Sequence, residues 1–389
     1  MRRTLAALVL VSPACVLAPV GLASPALAQE TCQGQTATIT GTNGNDELHG
    51  TLLADVVVLG AGNDTFDGRQ GDDIVCGGGG KDVIFGGEDN DWIDAGPGND
   101  NVRGGPGNDE LRGGTGNDVL RGEGDDDLVR AGGGKDRIFE GAGDDRVTGG
   151  PGADRITYRE SATAVTVQWG AGVVDGAGHD EIGRVERFEG SRQADVINGS
   201  GGSDDLAGGG GDDRIFGGGS GDVLRISSGI ARGGAGNDAL LVFRTGTALG
   251  EQGDDRFVMR RGTSRGGAGE DLFQVLAKGG GVADGGPAAD VITFAAVRRG
   301  VTASLATGNA RWGDRSVAFS SVEVLFGSRL RDTLGGSGRG DYIRGGGGDD
   351  RLRGQGGNDL LIGDHGFDRS EGGPGGDVCV SEVRVGCEA

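Results

Sequence analysis

From Asp46 to Asp154 an aspartate stands at every ninth position without a miss, and two places after each comes an apolar residue, from Leu48 to Ile156. Gly fills most of the six positions that end on the Asp, as in Gly104-Gly105-Pro106-Gly107-Asn108-Asp109-Glu110-Leu111-Arg112. Six Gly-rich residues make a turn whose backbone needs conformations that Gly adopts cheaply. The remaining three make a strand too short to stand alone, with its middle residue pointing inward. Such a unit buries its apolar residue only by stacking on copies of itself, so the period predicts a solenoid. Two nonapeptides complete one coil of about 18 residues, and successive coils pair as parallel strands about 4.8 Å apart.

Composition agrees. With 88 Gly in 389 residues and 4% aromatic residues, a core of ordinary globular kind lacks material. The phased Asp and apolar residues exclude the disordered linker that so much Gly would otherwise suggest. The net charge of −22 argues against nucleic acid and anionic membrane as main partners and suits a chain that collects divalent cations.

Three blocks run in phase. The first covers 41–157, the second begins near Gly190 and extends over 190–293, and the third covers 327–380. After residue 225 the second block is degenerate: Asp238, Asp255 and Asp271 lie 17 and 16 residues apart, close to two nonamers. Coils therefore persist there while one edge loses its Asp. Two interruptions, 158–189 and 294–326, look alike. Asp154-Arg155-Ile156-Thr157-Tyr158 leads into one and Asp290-Val291-Ile292-Thr293-Phe294 into the other. They close on Val185-Glu186 and Val322-Glu323. They read as a duplicated, strand-rich unit that extends the stack. The fold class is thus all-β, a parallel β-roll with two longer strand-rich interruptions.

Asp residues 18 apart stack directly over one another, and bare carboxylates at that spacing repel. A hard cation between turns reverses the sign, taking carboxylate oxygens from Asp and carbonyls from Gly. Calcium accepts six to eight oxygens in irregular geometry, and the Cys or His clusters that zinc needs are missing. The pattern resembles the RTX (hemolysin-type) nonapeptide Gly-Gly-x-Gly-x-Asp-x-apolar-x. Clean copies are Gly113-Gly114-Thr115-Gly116-Asn117-Asp118-Val119-Leu120 and Gly345-Gly346-Gly347-Gly348-Asp349-Asp350-Arg351-Leu352. The resemblance implies a parallel β-roll with calcium in both rows of turns and calcium-dependent folding.

The expected ligands in the first block are Asp64, Asp73, Asp82, Asp91, Asp100, Asp109, Asp118, Asp127, Asp136, Asp145 and Asp154. In the later blocks they are Asp204, Asp213, Asp222, Asp341, Asp350, Asp359, Asp368 and Asp377. The carbonyls of Gly105, Gly107, Gly114, Gly116, Gly346 and Gly348 complete the set. Departures weaken some turns. Gly50-Thr51-Leu52-Leu53-Ala54-Asp55 keeps little of the pattern, Asp89 and Asp125 replace a turn Gly, and Ser370 replaces an inward apolar residue.

Arg2 and Arg3, the apolar run Leu5 to Val11 and Ala26-Leu27-Ala28 read as a secretory signal peptide over 1–28. Its removal takes away two Arg and deepens the charge from −22 to −24. Four cysteines then remain, and an exported chain favours disulfides. The expected pairs are Cys32–Cys76, joining an N-terminal cap at 29–40 to the first block, and Cys379–Cys387, joining the third block to a C-terminal cap at 381–389. Four cysteines allow three pairings. His49, His179 and His365 are scattered, with no nucleophile–base pattern, so no catalytic residue is expected.

Arg103, Arg112, Arg121 and Arg130 occupy the ninth position of successive repeats and face outward, followed by Arg137, Arg146 and Arg155 at the seventh, on the other side of the inward residue. Solubility and charge compensation explain them. The alternative is a guanidinium ladder for a cell-wall polymer or glycan. The function expected is a secreted, multi-site calcium-binding protein that folds on calcium after export. A cell-surface structural or adhesive protein is the alternative, and a secreted enzyme the less favoured one.

Overall fold

The computed structural model describes residues 30–387; the expected signal peptide lies outside them. They form two long parallel sheets facing each other, with the chain crossing from one to the other at every turn. In the first block, strands such as Asn101–Pro106 and Val119–Gly124 pair in register with Val102 on Leu120. On the other sheet Glu110–Thr115 and Leu128–Gly133 pair with Leu111 on Val129. The 18-residue coil is as the period predicts. Both ladders are open-ended: Glu47–His49 and Val378–Val380 each pair on one side only.

The core is the row of middle strand residues. Phe66, Ile84, Val102, Leu120, Ile138 and Ile156 line one sheet, and Val57, Val75, Ile93, Leu111, Val129 and Val147 the other, all buried. Ser370 also points inward, buried and with an unpartnered hydroxyl. Where the nonapeptide degenerates, the core gains a second apolar row. Leu224/Ile226, Leu240/Val242, Phe257/Met259 and Phe273/Val275 are all buried. The strands there span both inward residues, as in Arg256–Met259 and Leu272–Leu276.

Each interruption replaces one strand of a sheet by three. Thr166–Gln168, Val173–Asp175 and His179–Gly183 form an antiparallel meander. Its outer strands pair in parallel with Val196–Asn198 and Arg146–Thr148. Thr302–Ser304, Asn309–Trp312 and Arg315–Ser320 repeat the arrangement between Gly281–Asp284 and Thr333–Gly335. The stack therefore continues through both. No helix of the described residues is long and apolar enough to cross a membrane.

A hairpin, Thr31–Cys32 with Gln35–Thr36, covers the first coil. Cys32 bonds to Cys76 and Cys379 to Cys387, with Cα–Cα distances of 5.7 and 5.8 Å. Each bridge pins an end that would otherwise expose a sheet edge.

Candidate metal centres

The inward turn of each repeat aims its Asp carboxylate at the neighbouring coil. The backbone N–H of Asp100 donates to Oδ1 of Asp118, and that of Asp118 to Oδ1 of Asp136, both at 2.8 Å. On the opposite edge Asp91, Asp109 and Asp127 form the same chain. A second ladder lies outside it and runs the other way. There Oδ1 of Asn90 accepts from the N–H of Asn108, and Oδ1 of Asn108 from the N–H of Asp126. Where both ladders are present, they tie a turn to the coil on each side.

One edge of the roll keeps its carboxylates almost end to end. At the interruptions a Glu takes the ladder position: Glu186 accepts the N–H of Asp154, and Glu323 that of Asp290. Between them Asp204, Asp222, Asp238, Asp255, Asp271 and Asp290 link in sequence. The other edge passes from Asp145 to Asp180, resumes at Asp195 and Asp213, then lacks a ladder Asp until Asp332, and ends on Glu382. Asp180, Glu186, Glu323 and Glu382 fall out of phase in the sequence, and Asp238, Asp255, Asp271 and Asp290 out of the nine-residue count. The paired Val185-Glu186 and Val322-Glu323 were the available signal.

The second oxygen, Oδ2, separates two kinds of turn. In twenty turns it is buried with no hydrogen-bond partner, among them those of Asp64, Asp91, Asp118, Asp222, Asp290 and Asp359. In all of these the residue four before the Asp has positive φ, as at Gly60 (105°), Gly87 (129°) and Gly114 (101°). Arg69, Glu123, Glu251, Gln355 and Asp364 hold that position at φ between 71° and 88° without Gly's freedom. At the position two before the Asp, Asp89 and Asp125 likewise stand at positive φ. Departure from Gly therefore costs strain but leaves the turn intact.

The other kind carries Ser or Thr four before the Asp. The N–H of Ser200 donates to Oδ2 of Asp204 at 2.6 Å and its hydroxyl to Oδ1 at 3.0 Å. Ser337 does the same for Asp341. Asp204 and Asp341, expected as ligands, thus have both oxygens satisfied within their own turns. A short hydroxyl replaces the Gly there and closes the carboxylate locally, which sets these two turns apart from the Gly type.

Some orphaned oxygens have a carbonyl of the next coil beside them: a Cβ built on Gly68, Gly113 or Gly250 would meet both Oδ2 of Asp73, Asp118 or Asp255 and the carbonyl of Gly86, Ala131 or Gly266. A Cβ placed on Gly132, Gly134 or Gly366 would overlap the carbonyl of Gly114, Gly116 or Gly348, so neighbouring turns approach too closely for a side chain. Among the described residues no three His, Cys, Asp or Glu side chains converge as a metal cage. A cation here draws on one carboxylate per turn plus backbone oxygens, a set that suits a hard ion.

In the cation-free chain, burial pushes these carboxyls upward, against the lowering effect of the backbone hydrogen bond. Asp109 rises to about 7 and Asp91 and Asp127 to about 8. A row of buried carboxylates without counter-charge is unfavourable.

The model of the RTX calcium-binding nonapeptide repeat (4 copies) matches residues 40–75, 49–84, 77–111, 103–138, 141–159, 186–224 and 335–370. The chain belongs to the RTX calcium-binding nonapeptide-repeat family. The RTX matches stop at 224 and resume at 335, bracketing the coils in which one edge has lost its Asp. No curated protein matches the chain. Among solved structures, it is similar to a hyperactive, Ca2+-dependent, β-helical antifreeze protein from an Antarctic bacterium. The identity is 16%, over 80% of this chain and 84% of that one. The TM-score is 0.18, and the likeness carries no argument here.

Proposed function

We propose that this RTX protein is a secreted, multi-site calcium binder whose roll closes on calcium after export. The observation that carries the reading is the set of twenty buried Oδ2 atoms with no partner; several of them, such as those of Asp73, Asp118 and Asp255, lie beside a carbonyl of the next coil. The ligands would be the Asp of the Gly-type turns, from Asp64 to Asp136 and at Asp154 in the first block. Asp213, Asp222, Asp350, Asp359, Asp368 and Asp377 would follow, with the carbonyls of Gly105, Gly107, Gly114, Gly116, Gly346 and Gly348. Asp238, Asp255, Asp271 and Asp290 join them on the one edge that persists.

Bound calcium supplies positive charge and coordination for these oxygens. Without it the Asp rows repel and keep the coils apart; with it, the strands that follow each Asp can zip into register. Two disulfides and the leader-like start support an oxidising, extracytoplasmic setting. The outward Arg do not favour a free anion-binding ladder. Arg103 pairs with Glu123 at 3.0 Å, Arg112 and Arg130 share Glu110, and Arg121 lies over the Phe139 ring at 4.2 Å. Charge compensation accounts for them.

Far-ultraviolet circular dichroism of residues 29–389, taken with calcium and after its removal, tests the proposal. A β-rich spectrum should collapse on chelation and return with calcium but not with magnesium. A spectrum indifferent to calcium would overturn it.

A further inference from the structure

In the repeat turns themselves, outside the meanders, the fifth position before the ladder Asp is small or apolar, with one charged exception, Glu140. A side chain there points at the carboxylate: a Cβ built on Gly104 or Gly122 overlaps Oδ2 of Asp109 or Asp127. Glu140 stands in that relation to Asp145. It is 2% exposed, and neither of its carboxylate oxygens has a hydrogen-bond partner. The charges that bear on it are those of Asp145, Asp127 and Asp180. Asp180 is held by the Tyr158 hydroxyl at 2.7 Å and by the N–H of Asp145 at 3.0 Å. No Lys or Arg pairs with Glu140, Asp145 or Asp180 among the described residues.

The duplicated unit supplies a control within the same molecule. Asp136 and Asp154 correspond to Asp271 and Asp290, so Glu140 corresponds to Val275 and Tyr158 to Phe294. The pair Asp145 and Asp180 corresponds to Gly281 and Val317, which are register partners. Val275, Phe294 and Val317 are buried. The same coil and the same three-stranded insertion thus form with an apolar set, and the fold does not need Glu140 or Tyr158. A buried carboxylate kept without a partner, where an aliphatic residue would serve, points to a ligand.

We propose that Glu140 and Asp145 hold a calcium ion of their own inside the roll, at the start of the first insertion. This site differs from the repeat sites in using two side-chain carboxylates, with the remaining oxygens from backbone and water. Residue 140 lies on a cleft lined also by Glu123 and Glu160 and by one cation, Arg121, which lies over the Phe139 ring, so acidic groups outnumber basic ones on a cation's way inward. The proposal rests on the calcium reading of the repeats.

Terbium, a calcium-like ion that emits when a nearby aromatic ring is excited, provides the test. Residues 29–389 would be titrated with terbium as wild type, E140Q, E140V and Y158F. The difference between wild type and Y158F isolates the emission sensitised by Tyr158. That component should be lost in E140Q and E140V and be displaced by calcium, while the calcium midpoint of the circular dichroism change stays in place. Retention of the full component in E140Q would overturn the proposal, as would a wild type with no Tyr158 component. Failure of every form to respond to calcium by circular dichroism would instead sink the repeat reading.

Discussion

Ser328 holds Asp332 from two sides, its backbone N–H donating to Oδ2 at 2.5 Å and its hydroxyl to Oδ1 at 2.9 Å. Ser191 closes Asp195 and Thr42 closes Asp46 in similar ways. These are the first turns of the three blocks, and in each block the next turn also carries Ser or Thr four before the Asp. A block therefore opens on turns whose carboxylates are satisfied by the chain itself. A hydrogen bond to a charged group contributes about 1.5–3 kcal/mol. S328A should cost that much, lowering the thermal midpoint of the third block by the same amount at every calcium concentration that keeps it folded. A loss that grows or shrinks with calcium concentration would assign the hydroxyl to metal binding instead.

The two kinds of turn should respond differently to one substitution. In D118N the amide keeps an acceptor for the N–H of Asp100 but replaces the orphaned oxygen by a donor. Calcium retained after dialysis should fall by one or two ions per chain, since a site shared between coils uses neighbouring turns. D332N changes an oxygen already bonded to Ser328 and should leave the calcium count unchanged. Atomic emission on the dialysed proteins reads both. Equal loss in the two variants would contradict the division into two kinds of turn.

Much of this is legible in the sequence. The nine-residue period requires coils of 18 residues because an inward residue must meet its copy, and Leu111 does sit on Val129. Ligand assignment was less legible at the block starts. Ser200 and Ser337 look like neutral replacements for Gly, yet a hydroxyl four residues before an Asp reaches its carboxylate and removes the orphan. Continuation of the ladder through the insertions was hidden for another reason. Spatial register skips the meander, so Glu186 and Asp180, 32 and 35 residues along the chain from Asp154 and Asp145, become their neighbours only in three dimensions. Glu140 breaks a small-residue position in plain view, but only burial gives that break a meaning.

Acidity should substitute in part for calcium. The folded carboxyls of Asp91 and Asp127 stand at about 8 and that of Asp109 at about 7, all above the ordinary value of 3.8. A raised folded value means that proton uptake favours the roll. The contribution is fully present below about 3.8 and is lost as pH rises through 7 to 8. Calcium-stripped protein should hence show more β signal near pH 6 than near pH 9, with calcium affinity changing in the opposite sense because ligation needs ionised Asp. Circular dichroism and calcium titration across that range check both limbs. Calcium-stripped protein that gains structure as pH rises would refute the burial argument.

Phe257 and Phe273 stack with ring centroids 4.8 Å apart and planes 8° apart, inside the coils where one edge lacks its Asp. Those coils have fewer cations to draw on and a second buried apolar row instead, including Met259 and Val275. Packing should therefore carry a larger share of their stability than in the first block. Removing a buried Phe side chain costs about 3–5 kcal/mol. F273A should speed hydrogen exchange across residues 240–292 even in saturating calcium, whereas excess calcium should largely mask L111A, whose coil has an Asp on both edges. Unfolding of so long a repeat array need not be all-or-none, so exchange resolved along the chain is the suitable measurement. Equal rescue of both variants by calcium would show that the metal rows, not the apolar ones, hold the middle of the roll.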